Sequence, residues 1–394
     1  MAKHTIVTMP GDGIGNIVLS ETLRVLDAAG FDAEYVHADI GWEFWRSEGN
    51  PLPERTIKLL EKHRIGLFGA ITSKPPAEAL EELDPSLRDK GYVYFSPIVG
   101  LRQHFNLDVS IRPTPSLLGN PLNFIRRGAD GGIEEPKVKA VIFRQNTEGL
   151  YGGVEWTNPP AQVRAALDTH KKMANFKDTP NEDLAISTRI FTRKAVKRIV
   201  RRSFEFADKF GLKSVTVCEK PNVIRETSGM MLHEARLVQQ EFPHIQLWNT
   251  NIDAQMMWLT KNPEDYDVIV SGNMFGDIVS DGFAGLIGGL GFAASANIGD
   301  DCAIFEPTHG SAPKYADYEI PIVNPIAMVL SACMMLDHIG EFDLATRIRT
   351  AVEKVVADGQ VRTYDMLKLR GTQEVIHQGA ASTVQMTDAI IAAL

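Results

Sequence analysis

Two periodicities alternate along this chain, and that alternation limits its fold more than any single motif. Short apolar runs rich in β-branched and aromatic residues recur at TIVTM (5–9), IGLFGAI (65–71), AVIFR (140–144), SVTVC (214–218), IQLWN (245–249) and DVIVSGN (267–273). Between them lie stretches with helical spacing, such as NIVLSETLRVLDAAG (16–30) and TRKAVKRIVRRSFEFADKFG (192–211). The second ends in Gly211, a helix stop. The pattern predicts an α/β chain whose strands are largely parallel. A length of 394 residues suits two domains, or three, with sizeable cores. No internal repeat or low-complexity tract interrupts the pattern. The stretch 158–183 differs, with Pro159, Pro160, Pro180 and little periodicity. It reads as an inserted arm, open between a dimer contact and a plain surface excursion.

A formal net charge of −9 argues against nucleic acid as a partner, because phosphate contacts need a basic surface. Any anionic ligand must be caught by a local basic cluster. The three cysteines, Cys218, Cys302 and Cys333, are odd in number and widely spaced, which fits neither a disulfide framework nor a zinc site. A reducing, cytoplasmic setting is expected, since the first residues also lack a secretory signal pattern. Two weakly charged stretches, 282–299 and 320–336, carry too much glycine, proline and asparagine for membrane spans. No membrane association is expected.

The first strand runs into PGDGIG, with Gly11, Gly13 and Gly15. This is G-x-G-x-G, not the G-x-G-x-x-G dinucleotide fingerprint, and it predicts a tight strand-to-helix turn rather than a Rossmann fold.

Five segments carry candidate chemistry. In SGNMFGDIVSDGFAG (271–285), Asp277 and Asp281 share one face of a helix. Two like charges beside so much apolar sequence invite a cation, and a hard divalent metal has the right ligand preference. Spacing alone leaves this open against a solvated helix face or pairing with arginine or lysine. Arg102 and Arg112 lie in 96–113, and Arg144 ends a buried-looking strand, where an unpaired charge is costly. Together they suit a clamp for carboxylates, although each alone is as readily a surface ion-pair residue. Tyr151, in a glycine-flanked loop, is either a proton donor or ordinary packing. Lys220 follows a strand directly, at the end where α/β sites form, and in a confined site it can act as a base. A solvated loop lysine is the alternative. Finally, 305–325 reads as an irregular binding loop or a surface connection, in which Lys314 and Tyr315 suit a phosphate and a stacked base.

Taken in order, RQNTEGLY (144–151), KPN (220–222), GNMFGDIVSD (272–281) and EPTHGSAP (306–313) resemble the β-decarboxylating dehydrogenases: isocitrate, 3-isopropylmalate, homoisocitrate and tartrate/D-malate dehydrogenases. The matches extend from PGDGIG to TYDMLKL (363–369) and MTDAI (386–390), nearly the whole chain. The resemblance implies a two-domain isopropylmalate-dehydrogenase-like α/β fold. Residues 1–113 and 288–394 would form a large cofactor-side domain. Residues 114–287 would form a smaller substrate and metal domain, with a dimerisation arm at about 150–190. It implies a homodimer with shared active sites, each borrowing Lys220 and Asp253 from the other subunit. Ser96, Ile98, Arg102, Arg112, Arg144 and Asn222 would bind a di- or tricarboxylic 2-hydroxy acid. Asp253, Asp277 and Asp281 would hold Mg²⁺ or Mn²⁺, with Tyr151 as acid and Lys220 as base.

The same resemblance suggests isocitrate as substrate, from the serine at position 96 and the RQNTEGLYGGVEW segment. Ile98 stands where isocitrate enzymes carry asparagine, so homoisocitrate and 3-isopropylmalate remain alternatives. For the cofactor it implies Thr72, Glu306, His309, Gly310, Ser311, Ala312, Lys314, Tyr315 and Asn324, with Tyr364 and Lys368 as further 2′-phosphate contacts. That set favours NADP, with NAD as the alternative. A non-catalytic nucleotide-binding or regulatory subunit is disfavoured because acid, base and metal residues are all present. A metal-free Rossmann 2-hydroxy-acid dehydrogenase is the other enzyme reading.

Overall fold

A computed structural model describes residues 2–394. One ten-stranded sheet organises the molecule. Its strands are β1 (His4–Gly11), β2 (Ala33–His37), β3 (Ile65–Ala70), β4 (Val109–Pro113), β5 (Val141–Gln145), β6 (Ser214–Glu219), β7 (Gln246–Asn251), β8 (Val268–Ser271), β9 (Ala294–Ile298) and β10 (Ala303–Pro307). Their spatial order is β7-β6-β8-β5-β4-β9-β10-β3-β1-β2. All six apolar runs singled out in the sequence are strands.

The centre of the sheet departs from the expected parallel pattern. β4 pairs antiparallel with β5 and with β9, and β9 pairs antiparallel with β10. The remaining pairings are parallel. Three successive reversals make the two parallel blocks, β5–β8 and β1–β3 with β10, run in opposite directions. Parallel strands need helical crossovers, and these are supplied on the faces of each block. The helix Arg193–Lys209 begins on Thr192, whose hydroxyl accepts from the Ala195 amide, and the chain turns left-handed at Gly211 beyond its end.

One apolar cluster runs through Ile6, Val18, Phe305, Met328 and Val352 and continues to Ile142 and Phe283. A second, with Val196, Phe204, Val217, Met231 and Val270, lies under the helices Arg193–Lys209 and Arg225–Gln239. The 320–336 stretch forms most of the buried helix Ile326–His338. No helix among the described residues is long and apolar enough to cross a membrane.

The glycine run makes the expected tight turn from strand β1 into the helix Ile14–Ala28, and close packing requires it. A Cβ at Gly11 would stand 1.9 Å from the Ala70 carbonyl oxygen, and one at Gly13 would stand 2.3 Å from that of Ser311. Both glycines have positive φ. The 158–183 stretch lies outside the main sheet, as expected of an inserted arm. Glu155–Thr157 and Ala185–Ser187 pair as a small antiparallel ribbon, and the helix Ala161–Asp168 between them buries none of its residues.

Candidate active site

The site begins with the alternation of side chains along β4, β5 and β9. Register places Ser271, Arg144, Ser110 and Asn297 directly opposite one another across β8, β5, β4 and β9, so they share one face of the sheet. Arg112 lies two residues beyond Ser110 on that face, while Phe143 and Ile111 point to the other. A polar stripe therefore crosses the antiparallel centre of the sheet.

The helix Asn273–Leu286 lies against this stripe. Gly276 permits the approach, since a Cβ there would fall 2.8 Å from Arg144 Cγ. Arg144 Nε donates to the Asn273 carbonyl oxygen at 3.0 Å, and its Nη1 reaches Asp277 Oδ1 at 2.7 Å. Arg112 Nη1 donates to the same Asp277 oxygen at 3.0 Å and to Ser280 Oγ at 2.7 Å, and lies 3.6 Å from Asp281 Oδ1. Tyr151 donates its hydroxyl to Asp277 Oδ2 at 3.2 Å, with its ring 5.4 Å from the Arg144 guanidinium. Arg102 lies beside them, its Nη2 2.9 Å from Glu306 Oε1 and its Nε donating to Asn297 Oδ1 at 3.1 Å.

The electrostatics follow from burial and crowding. Arg144 is pulled down to about 9, first by desolvation and then by the charge of Arg112, with Asp277 opposing and Arg102 adding to the repulsion. It remains charged at neutral pH. Desolvation raises Tyr151 above the usual phenol range, and Asp277 adds to it. Asp281 is raised by burial, against the pull of Arg112. Three arginines and two aspartates thus gather on one polar face of the sheet, an arrangement suited to binding an anion and a cation together.

Lys220 and Asp253 form an ion pair of their own, on the loop after β6 and the first turn of the helix Ile252–Trp258. Lys220 holds Asp253 below the usual carboxylate range. No hydrogen bond or ion pair joins this couple to Asp277 among the described residues. No group of three His, Cys, Asp or Glu that could hold a metal ion forms among them either. The expected trio of ligands is therefore split within one chain: Asp277 with Asp281, and Asp253 apart. The two carboxylates at Asp277 and Asp281 are hard oxygen donors that fit a divalent cation.

At the proposed substrate helix, Pro97–His104, Ile98 is buried against the core of Leu52, Phe68 and Leu101. Val99 is 42% exposed and offers the apolar surface instead. Ser96 stands at the N-terminal boundary of this helix without a side-chain hydrogen bond to its first turn, and it is half-buried. Asn222 is exposed on the loop after Lys220.

A second group of residues gathers at the ends of β1, β3 and β10. Thr72 and Ser311 share a hydrogen bond of 2.7 Å, and the Ile14 amide donates to the Ser311 carbonyl at 2.9 Å. Asp12, which sequence reasoning passed over inside the glycine turn, accepts from the Thr72 amide at 2.8 Å and the Trp42 amide at 2.6 Å. A lone carboxylate between three glycines was the available signal. His309 carries a buried Nε2 with no partner, and burial lowers its basicity. A bound ligand with a hydrogen-bonding group would satisfy it. Gly310 is exposed, and Ala312 sits in the left-handed region at φ 37°. Asn324 is buried and engaged: it donates to Asp365 Oδ2 at 3.1 Å and accepts from the Ile326 amide at 3.0 Å. Tyr315 is buried too, with ring centroids 5.6 Å from Tyr318 and 5.7 Å from Tyr364. Lys314 and Lys368 are exposed.

The isocitrate/isopropylmalate dehydrogenase family model matches residues 5–390. Protein DlpA of Legionella pneumophila is 36% identical over 98% of this chain, which spans only 58% of that protein's length. An isocitrate/homoisocitrate dehydrogenase of Thermus thermophilus is 36% identical over 99% of this chain and 98% of its own. The crystal structure of isocitrate dehydrogenase from Methylococcus capsulatus superposes with a TM-score of 0.81 at 35% identity, covering 99% of both chains. With its mixed α/β fold and a match along nearly its whole length, the chain belongs to the isocitrate/isopropylmalate dehydrogenase family, the decarboxylating hydroxy-acid dehydrogenases.

Proposed function

We propose that this protein oxidises isocitrate and releases CO₂ to give 2-oxoglutarate, using Mg²⁺ or Mn²⁺ and NADP. The observation that carries the reading is the gathering of Arg102, Arg112 and Arg144 on the polar face that also holds Asp277 and Tyr151. Three guanidinium groups suit an acid with several carboxylates, each held by paired N–H donors.

The chain's own groups divide the work. The arginines bind and orient the carboxylates. Lys220 takes the proton of the C2 hydroxyl as hydride leaves C2. Tyr151, held protonated by its raised pKa, donates to the enol carbon after CO₂ departs. Asp277 and Asp281, with Asp253, are the ligands for a divalent cation, which when bound stabilises negative charge developing on the substrate oxygens. Because Lys220 and Asp253 stand apart from Asp277, the reading includes a homodimer in which each site takes these two from the other subunit. Exposed Met257 and Trp258, and Ile278 on the neighbouring helix, are apolar surface suited to such a contact. The domains are taken as 1–113 with 288–394, and 114–287. Placement of the cofactor at Thr72, His309 and Ser311 draws support from the unpartnered His309 nitrogen. NADP is favoured over NAD because exposed Lys314, whose ammonium lies 4.6 Å from the Tyr315 ring centroid, and exposed Lys368 are cations suited to a 2′-phosphate.

Exposed Val99 favours a second reading, in which homoisocitrate or 3-isopropylmalate is preferred. The test is absorbance at 340 nm with Mg²⁺ or Mn²⁺, crossing isocitrate, homoisocitrate, 3-isopropylmalate, D-malate and tartrate with NAD and NADP. The highest kcat/KM for isocitrate with NADP is the expected outcome. A higher value for another acid overturns the substrate assignment, and a higher value with NAD overturns the cofactor assignment.

A further inference from the structure

Glu219 is the last residue of β6, directly before Lys220, and it is completely buried. Its carboxylate accepts four hydrogen bonds from three donors. Arg189 Nη2 reaches Oε1 at 2.9 Å and Oε2 at 2.8 Å. Ser228 donates its hydroxyl to Oε2 at 2.6 Å, and the Gly272 amide donates to Oε1 at 2.8 Å. A buried carboxylate needs such company, because desolvation without partners is prohibitive.

The partners of Glu219 tie together separate parts of the molecule. Gly272 is the residue that starts the helix bearing Asp277 and Asp281. Its lack of a side chain is required, since a Cβ there would meet Glu219 Oε1 and Phe191 Cζ at 2.7 Å and Arg189 Nη2 at 2.8 Å. Ser228 belongs to the helix that follows the Lys220 loop, and its hydroxyl also accepts from Arg189 Nη1 at 2.9 Å. Arg189 comes from the return of the 155–187 ribbon. Its guanidinium lies between the rings of Phe191, at 4.5 Å, and Phe275, at 5.1 Å.

We propose that Glu219 and Arg189 are a positioning pair that fixes the Lys220 loop against the start of the Asp277 helix, so that each subunit holds the base it lends to its partner's site in a set position relative to the carboxylates of its own site. The inference rests on the reading of Lys220 as base. Neither member touches substrate. Their effect passes through Lys220 on one side and Gly272 on the other.

The experiment starts from the wild-type substrate panel, so that a failure of the functional reading shows first and separately. Glu219→Gln, Arg189→Met, Arg189→Lys and Ser228→Ala are then compared with wild type as full-length enzymes. Loss of the pair lowers kcat about 10–100-fold, the range for supporting contacts around a site, with KM for acid and nucleotide within about twofold. Arg189→Lys, which keeps the charge, recovers part of the kcat that Arg189→Met loses. Ser228→Ala changes no charge and removes one contact from each member. It is expected to fold, and to lower kcat several-fold even where Glu219→Gln proves insoluble. Amide hydrogen exchange of the peptide containing Gly272, followed without substrate, accelerates in Glu219→Gln and Ser228→Ala. Wild-type kcat in Ser228→Ala and Arg189→Met, or a loss confined to KM, overturns the proposal. So does an exchange rate at Gly272 unchanged in Ser228→Ala.

Discussion

Arg144 and Asp277 meet at 2.7 Å across the gap between a central strand and the helix packed on it. The arginine is almost fully buried, and a second guanidinium, that of Arg112, reaches the same carboxylate oxygen. Asp277 therefore partly neutralises two guanidinium groups that would otherwise be desolvated without an anion, and it orients both.

Arg144→Met tests that arrangement. The substitution removes charge-assisted hydrogen bonds each worth about 1.5–3 kcal/mol, so kcat/KM for the preferred acid falls about 10- to 200-fold or more. Steady-state kinetics at several acid concentrations check it, with the larger share of the loss expected in KM.

Tyr151→Phe should act elsewhere. The hydroxyl is the proposed proton donor to the enol carbon, and general acid catalysis is worth about 10²–10⁴-fold. The expected result is a fall in kcat of that order with KM little changed. Near-normal turnover would remove Tyr151 from the mechanism.

Removal of divalent cations separates this family's chemistry from that of a metal-free dehydrogenase. Dialysis against EDTA should abolish turnover, and Mg²⁺ or Mn²⁺ should restore it. Activity that survives EDTA contradicts the roles given to Asp277 and Asp281.

Gly276→Ala probes the close approach of helix and strand. The added methyl would lie 2.8 Å from Arg144 Cγ and 2.9 Å from its Cβ. Overpacking of this kind costs about 1–3 kcal/mol. A lower denaturant midpoint is expected, together with a higher KM as Arg144 is displaced.

Asp108 gives a pH dependence distinct from the site. Burial pushes its carboxyl up to about 6, against the attraction of Arg198, which lies 3.1 Å away. A carboxyl raised above its unfolded value holds a proton that the unfolded chain has released. Its contribution to stability is therefore present at low pH and is lost as pH rises from about 4 to about 6. In Asp108→Asn the profile of Tm against pH should lose that downward component across the same window.

Much of this was legible in the sequence because it depends on local chemistry. The six apolar runs became strands, since each needs only its own composition to be buried. Arg112, Arg144, Tyr151, Asp277 and Asp281 were recognisable as candidates, and the fold brings those five together. Strands β2, β4, β9 and β10 were missed; of the two central ones, Val109–Pro113 mixes polar and apolar residues, and Ala294–Ile298 is small and polar. Both are strands because long-range partners pair with them on each side, which no short window of sequence records. Ile98 was expected to face substrate, but helix geometry turns it into the core and exposes Val99. Glu219 looked unremarkable beside Lys220, because its partners Arg189 and Gly272 are 30 and 53 residues away.

Strand β4 lies between two antiparallel neighbours, and its pairing determines more than the shape of the sheet. A slip of one residue would turn Ile111 toward the polar face and Arg112 into the apolar interior. The backbone ladder thus acts as the ruler for the charges: Arg112 and Arg144 keep their separation because their strands cannot slide without breaking bonds on both edges of β4.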